Sequence, residues 1–285
     1  MGLIPITAQG SVMLYGTLLV YVNVDHVTKA LVSVAADLAD KFSAKLIGLS
    51  ARAIVPPVVA EGVVIVDHAS ELEIAQVKKS LAEAGEKFRA AAGAKRETEW
   101  RSALEIPTDT LILEARCADL IIIEKSGRSI DFYRAPDPGT AIMGAGRPFL
   151  VVPGGVKTLA AEQILIGWND TREARRAIQD ALPFLRQAKR VTVIEICESD
   201  QKQVARRQID DVVLYLARHK VSAEGRVEAQ LMASAAHQIM EIAENEGADL
   251  LVTGAYGHSR LNEWIFGGMT HDLLASSPIC CLMSH

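Results

Sequence analysis

Ala248-Asp249-Leu250-Leu251-Val252-Thr253-Gly254-Ala255-Tyr256-Gly257-His258, followed by Ser259 to Phe266 and then Gly267-Gly268-Met269-Thr270, is the stretch whose reading decides the fold. The apolar run that opens it has the length and the bounding glycine of a buried strand. Two glycines end the strand, a loop follows, and two more glycines with a threonine open a helix. Glycine accepts positive φ and lets backbone N–H groups approach a ligand, and a helix N-terminus presents unpaired N–H groups and a dipole that favours an anion. The pattern therefore describes a phosphate cradle at a strand end. It describes equally an ordinary strand-to-helix turn, since glycine is common punctuation there.

At 285 residues the chain suits two ordinary domains or one large one. An apolar fraction of 49% with only 5% aromatic residues fits an α/β protein with ample core. The net charge of -5 argues against a nucleic-acid binder, which would carry a basic footprint. Arginines such as Arg172, Arg175, Arg176, Arg206 and Arg207 are interleaved with acids at helical spacing, the pattern of a solvated helix face. Cys117, Cys197, Cys280 and Cys281 form no CxxC pair and have no histidine at ligand spacing, so buried reduced thiols are expected. A redox role for the adjacent Cys280 and Cys281 is the minor alternative. The apolar segment Ser11 to Val24 is too short to span a bilayer and has no Lys or Arg ahead of it. The expectation is a cytoplasmic protein with no nucleic-acid or membrane partner.

In chain order, Thr17 to Val24 reads as a strand, Thr28 to Phe42 as a helix and Lys45 to Ser50 as a strand. An irregular excursion from Ala51 to Asp67 follows, with Pro56, Pro57 and Gly62, then a long helix from Ser70 to Ala92. Strands at Glu97 to Arg101, Leu120 to Ile123 and Arg147 to Pro153 complete this half, with Pro107 opening a helix towards Cys117. The second half repeats the order: strands at Gln163 to Trp168, Arg190 to Cys197, Val227 to Leu231, Asp249 to Thr253 and Ile279 to Met283, with helices at Thr171 to Ala188, Gln201 to His219 and Ser234 to Asn245.

The repeat keeps register. Ala118-Asp119-Leu120 matches Ala248-Asp249-Leu250, Gly127 matches Gly257, Thr140 matches Thr270 and Pro148 matches Pro278, all offset by 130, while Asn23 matches Asn169 at an offset of 146. A longer excursion after the second strand of the first half accounts for the difference. Gly254, Gly267 and Gly268 then correspond to Glu124, Asp137 and Pro138. A carboxylate repels phosphate and proline has no N–H to donate, so the first half is not expected to bind nucleotide in this manner.

The spacing Gly254-x2-Gly257-x9-Gly267 resembles the nucleotide-binding signature of the universal stress protein family, as does the stretch Gly167-Trp168-Asn169-Asp170-Thr171-Arg172-Glu173. In that family the last glycine is usually followed by Ser or Thr; here Gly268 follows and the hydroxyl comes at Thr270. The chain from about Thr17 onwards resembles a tandem member. The resemblance implies two five-stranded parallel α/β domains, Rossmann-like, of order 3-2-1-4-5, with the last strands pairing to make an intramolecular pseudo-dimer. The expected division is a segment at 1–16, a degenerate domain at 17–156 and a domain carrying the motif at 157–285. It further implies binding of ATP or a related adenine nucleotide, with Mg²⁺, through Asn169, Thr253, Gly254, Gly257, His258, Gly267, Gly268, Met269 and Thr270. Asn23 and Asn169 stand where the family usually has an Asp that helps hold adenosine; a turn-forming role is the alternative. Tyr256 and Trp264 read as packing residues, and Arg260 either as a phosphate contact or as a surface residue.

Three functions are open: a stress-response nucleotide sensor, a scaffold that works through protein contacts without nucleotide, and a slow adenine-nucleotide hydrolase. The last needs a residue to place water, and Asp170 is the candidate, with a turn or cap role as its alternative. No catalytic residue or protein metal site is assigned. A homodimer is a further option. A dehydrogenase is disfavoured because no GxGxxG follows a first strand, and a P-loop enzyme because GxxxxGK[ST] is absent.

Overall fold

The computed structural model describes residues 15–54, 69–93, 96–125, 131–232, 234–256 and 268–285. The first half runs β1 (Thr17–Tyr21), α1 (Lys29–Phe42), β2 (Lys45–Ala51), α2 (Ala69–Ala92), β3 (Thr98–Ala103), α3 (Pro107–Glu114), a 3-10 turn at Ala115–Cys117, β4 (Leu120–Glu124), α4 (Pro138–Ala145) and β5 (Phe149–Val152). The second runs β6 (Gln163–Gly167), α5 (Arg172–Leu185), β7 (Arg190–Cys197), α6 (Lys202–Arg218), β8 (Glu224–Ala229), α7 (Ala235–Asn245), β9 (Leu250–Gly254), α8 (Gly268–Ser276) and β10 (Cys280–Ser284).

The expected 3-2-1-4-5 order occurs twice, merged into a single ten-stranded sheet of order β3-β2-β1-β4-β5-β10-β9-β6-β7-β8. Pairs within each half are parallel, and β5 meets β10 antiparallel with Val151 opposite Cys281 and Leu150 opposite Leu282. That pairing leaves neither of these two strands as an edge. Central strands are covered on both faces by helices, which is why Leu18 to Val20, Leu120 to Ile123 and Leu250 to Val252 are continuous apolar runs, all buried.

The outer strands obey a different rule. β3 and β8 lie at the ends of the sheet and carry charge on alternate residues: Glu99 and Arg101 pair with each other, and Arg226 pairs with Glu228 at 2.7 Å and with Glu246. Charged edges resist pairing with other chains. They also shift the expected boundary: β8 begins at Glu224, three residues ahead of the apolar signal at Val227.

Other boundaries move for local reasons. β1 stops at Tyr21 and not at Val24, because Asn23 turns the chain by accepting a hydrogen bond from Asp25 N at 2.9 Å. β5 starts at Phe149, after Arg147-Pro148. α1 stops where Ser43 adopts a left-handed φ of 54° and returns its N–H to Ala39 and Asp40. The excursion falls after β2 as expected, with residues 55–68 outside the described residues.

The repeated Ala-Asp-Leu has a structural meaning. Asp119 accepts hydrogen bonds from Gly16 N and Thr17 N at 2.8 and 2.9 Å, and Asp249 accepts from Glu162 N and Gln163 N at 3.0 Å each. In each half this carboxylate fixes the entry of the first strand beside the fourth. The two halves also share a core. Tyr15, ahead of β1, is buried; it donates through its hydroxyl to the Asp180 carbonyl of α5, and its ring packs with Phe42 of α1 and Phe184 of α5. Residue 15 thus belongs to the packed interior and not to a loose terminal segment.

Candidate functional site

In an open α/β sheet the connections leave one strand to opposite sides at a switch point, and a crevice opens there at the strands' C-terminal ends. In the second half this point lies between β6 and β9, with Gly167 paired to Thr253. The structure brings Thr253, Gly254, Met269 and Thr270 to this edge. A Cβ placed on Gly167 would lie 3.6 Å from Thr253 Oγ1 and 3.8 Å from Met269 Cε. Thr270 is buried and its hydroxyl accepts a hydrogen bond from Tyr256 N at 3.1 Å, tying the start of the loop to the first turn of α8. Tyr256 itself has a positive φ of 59° and lies against Gly139 of α4.

Gly254 is a glycine for a reason the sequence does not announce. A Cβ there would lie 2.5 Å from Ala174 N and 2.7 Å from the Glu173 carbonyl carbon, so β9 ends directly on the N-terminal turn of α5. Gly268, by contrast, is exposed, and an added Cβ would meet nothing within 4 Å. α8 thus opens on space with no side chain at its first residue. Gly257, His258 and Gly267, with Arg260 and Trp264, lie outside the described residues, as does Gly127.

Asn169 stands two residues beyond β6 and is exposed; its Oδ1 accepts from Thr171 Oγ1 at 3.0 Å, while Thr171 caps α5 by accepting from Ala174 N at 3.2 Å. The cap is therefore Thr171 and not Asp170. Asp170 has a φ of 46°, pairs with Arg175 at 2.5 Å and accepts from Gln208 at 3.2 Å.

Four groups at this edge were not singled out from the sequence. Glu173 is buried in the first turn of α5 and pairs with Arg172 at 2.8 Å. Burial pushes its carboxyl up, but its own backbone N–H, the hydrogen bond and charge of Arg172 and the charge of His285 outweigh this and hold it below the usual range. His285 donates from Nδ1 to the Ala255 carbonyl at 3.0 Å. Trp168 and Glu195 follow the paired residues Gly167 and Ile194, which makes them neighbours on one face of the sheet. Trp168 Nε1 and Glu195 Oε2 are buried atoms with no hydrogen-bond partner among the described residues, and burial followed by the Asp170 charge pushes the Glu195 carboxyl up. An acid in the second strand of a half was the available signal for Glu195; nothing in the spacing marks Glu173 or His285.

The depressed Glu173 carboxyl carries a pH signature. A group whose folded value lies below its unfolded one contributes stability above the ordinary carboxylate value and loses it as pH falls through the folded value. Glu173→Gln is expected to cost about 1–2 kcal/mol near neutral pH, with the difference from wild type closing below the ordinary glutamate range, as read from urea unfolding at several pH values.

The first half shows how the same corner was altered. Asp137 caps α4, its Oδ1 accepting from Thr140 N at 2.8 Å, and Pro138 occupies the first turn. The carboxylate thus sits where the N-terminal N–H groups of α4 would meet an anion. Cys280 and Cys281 are buried, and burial pushes their thiols up to about 12 and about 11, which disfavours a redox role. Among the described residues no helix is long and apolar enough to cross a membrane.

Fold and site together define a doubly wound α/β protein with two copies of one unit in one sheet. The family model described as the universal stress protein family matches residues 161–285. Across the whole chain, a universal stress protein from Archaeoglobus fulgidus DSM 4304 is similar in structure, with a TM-score of 0.68, 14% identity and coverage of 94% of this chain and 98% of that one. A functionally unknown protein from Pseudomonas aeruginosa PAO1 is similar with a TM-score of 0.59, 17% identity and coverage of 95% and 92%. No curated protein matches. Residues 161–285 thus match the universal stress protein family model, and the first half repeats the strand order of the second.

Proposed function

We propose that the chain is a stress-response module whose second half binds ATP or a related adenine nucleotide, with one site per chain. The observation that carries this reading is the contrast between α8 and α4. α8 opens at the switch point with Gly268 exposed, where the N-terminal N–H groups of a helix and its dipole suit a phosphate; the same position in α4 is filled by the Asp137 carboxylate and Pro138. Thr253, Gly254, Met269 and Thr270 would form the wall, with Gly257, His258 and Gly267 contributed by the loop.

Among the described residues no group of three His, Cys, Asp or Glu gathers to hold a metal, so Mg²⁺ would arrive on the phosphates. Asp170 is held by Arg175 and Gln208, which supports a sensor over a hydrolase. The scaffold reading is favoured by one observation, the engagement of Asn169 by Thr171. Calorimetric titration with ATP and with AMP, with and without Mg²⁺, separates the two: the sensor gives saturable heat at about one site per chain, and the scaffold gives none at millimolar nucleotide.

A further inference from the structure

The first half retains a cleft at its own switch point, between β1 and β4, with a volume of about 130 Å³ and walls formed largely by Leu31, Val32, Ile123, Pro136 and Pro138. Glu124 lines it, at the position that Gly254 holds in the second half. Its Oε2 accepts from Thr28 Oγ1 at 2.7 Å, and among the described residues no Lys, Arg or His lies within ion-pair distance. Lys125 lines the cleft and donates from Nζ to the Ser277 carbonyl at 3.0 Å, and His26 is an exposed lining residue. The half-buried carboxylate therefore lines a cleft that also holds Asn23, and among the described residues its one side-chain donor, Thr28, is neutral.

A carboxylate has roughly four acceptor sites, and in an apolar surround it is best satisfied by a charged donor. Asp137 and Pro138 close the adjacent helix terminus to anions. We propose that this cleft binds a small organic cation, an alkylammonium whose head pairs with Glu124 and whose stem lies along Leu31, Val32 and Ile123. A share of about 30 Å³ per water makes the cleft roughly four waters in size, which limits the stem to a few carbons. In this inference the first half takes a cation at its switch point, where Glu124 stands at the position of Gly254. The inference does not depend on nucleotide binding in the second half.

The test is titration of the uniformly ¹⁵N-labelled full chain with n-butylammonium chloride, and separately with sodium butyrate and with AMP, followed through the amide resonances of residues 21–32. Butylammonium is expected to shift them saturably, butyrate and AMP to leave them in place, and Glu124→Gln to weaken the butylammonium response at least tenfold. Thr28→Val keeps the carboxylate and removes its neutral donor, so it is expected to bind butylammonium as well as wild type or better; it also covers the case in which Glu124→Gln fails to fold. The proposal is overturned if these resonances do not respond to butylammonium, if butyrate moves them equally, if Glu124→Gln responds as wild type does, or if Thr28→Val loses the response.

Discussion

Gly254→Ala is expected to destabilise the chain by about 2–3 kcal/mol, although it adds a single methyl group. The methyl would lie 2.5 Å from Ala174 N and within 3 Å of Glu173, and what it meets first is helix backbone, not the far end of a flexible side chain. Relief requires α5 to move off β9, and α5 is anchored there by the Thr171 cap and by its buried face of Ala174, Ala177, Ile178 and Ala181. Gly268→Ala is the matched control, since the added methyl meets nothing within 4 Å, and its stability is expected to stay within about 0.5 kcal/mol of wild type. Urea unfolding of the two variants side by side reads the contrast. Equal stabilities would mean that β9 and α5 are not packed as described.

Phe184→Ala is expected to cost about 3–5 kcal/mol, the range for removing a fully buried aromatic ring. The ring contacts Phe42 edge-on at 5.0 Å and Tyr15 at 5.7 Å, so its loss empties a three-ring cluster built from both halves of the chain. Both halves are therefore expected to melt together at a lower temperature, in one calorimetric transition, as one sheet with a shared core requires. Two separated transitions, with the first half unaffected, would contradict the shared core.

What was legible in the sequence follows from burial. Strands covered on both faces advertise themselves as apolar runs, and helices that cover a sheet carry apolar residues at helical spacing; α1 and α5 lie within a few residues of their expected bounds. The repeat was legible because Asp119 and Asp249 do the same job twice, each fixing a strand entry through two backbone N–H groups. Edge strands were less legible, since β8 uses Glu224, Arg226 and Glu228 where a central strand would use apolar residues. Tyr15 was missed because its partners, Phe42 and Phe184, are far away in the chain, and no local pattern marks such a contact.

The candidate site was legible as a glycine pattern but not in its physical cause. Gly254 suggested close approach of a ligand, and the structure gives it close approach of α5. Thr270 suggested a ligand hydroxyl, and in the structure that hydroxyl also accepts a hydrogen bond from Tyr256 N. Asp137 was read as a carboxylate in place of a glycine, and its capping bond to Thr140 N shows how the position is used. In each case residue type narrowed the options, and a partner distant in sequence or bound to the backbone decided among them.

The most direct test of the account is to copy the first half's cap into the second. Gly267 precedes α8 in the sequence as Asp137 precedes α4, so Gly267→Asp would place a carboxylate at the proposed phosphate position. Calorimetric titration with ATP and Mg²⁺ is predicted to give about one site per wild-type chain and at least a tenfold loss of affinity in the variant, equivalent to about 1.4 kcal/mol or more. Unchanged affinity in a folded Gly267→Asp chain, or no binding by wild type at millimolar ATP, would contradict the claim that the open start of α8 is a nucleotide site.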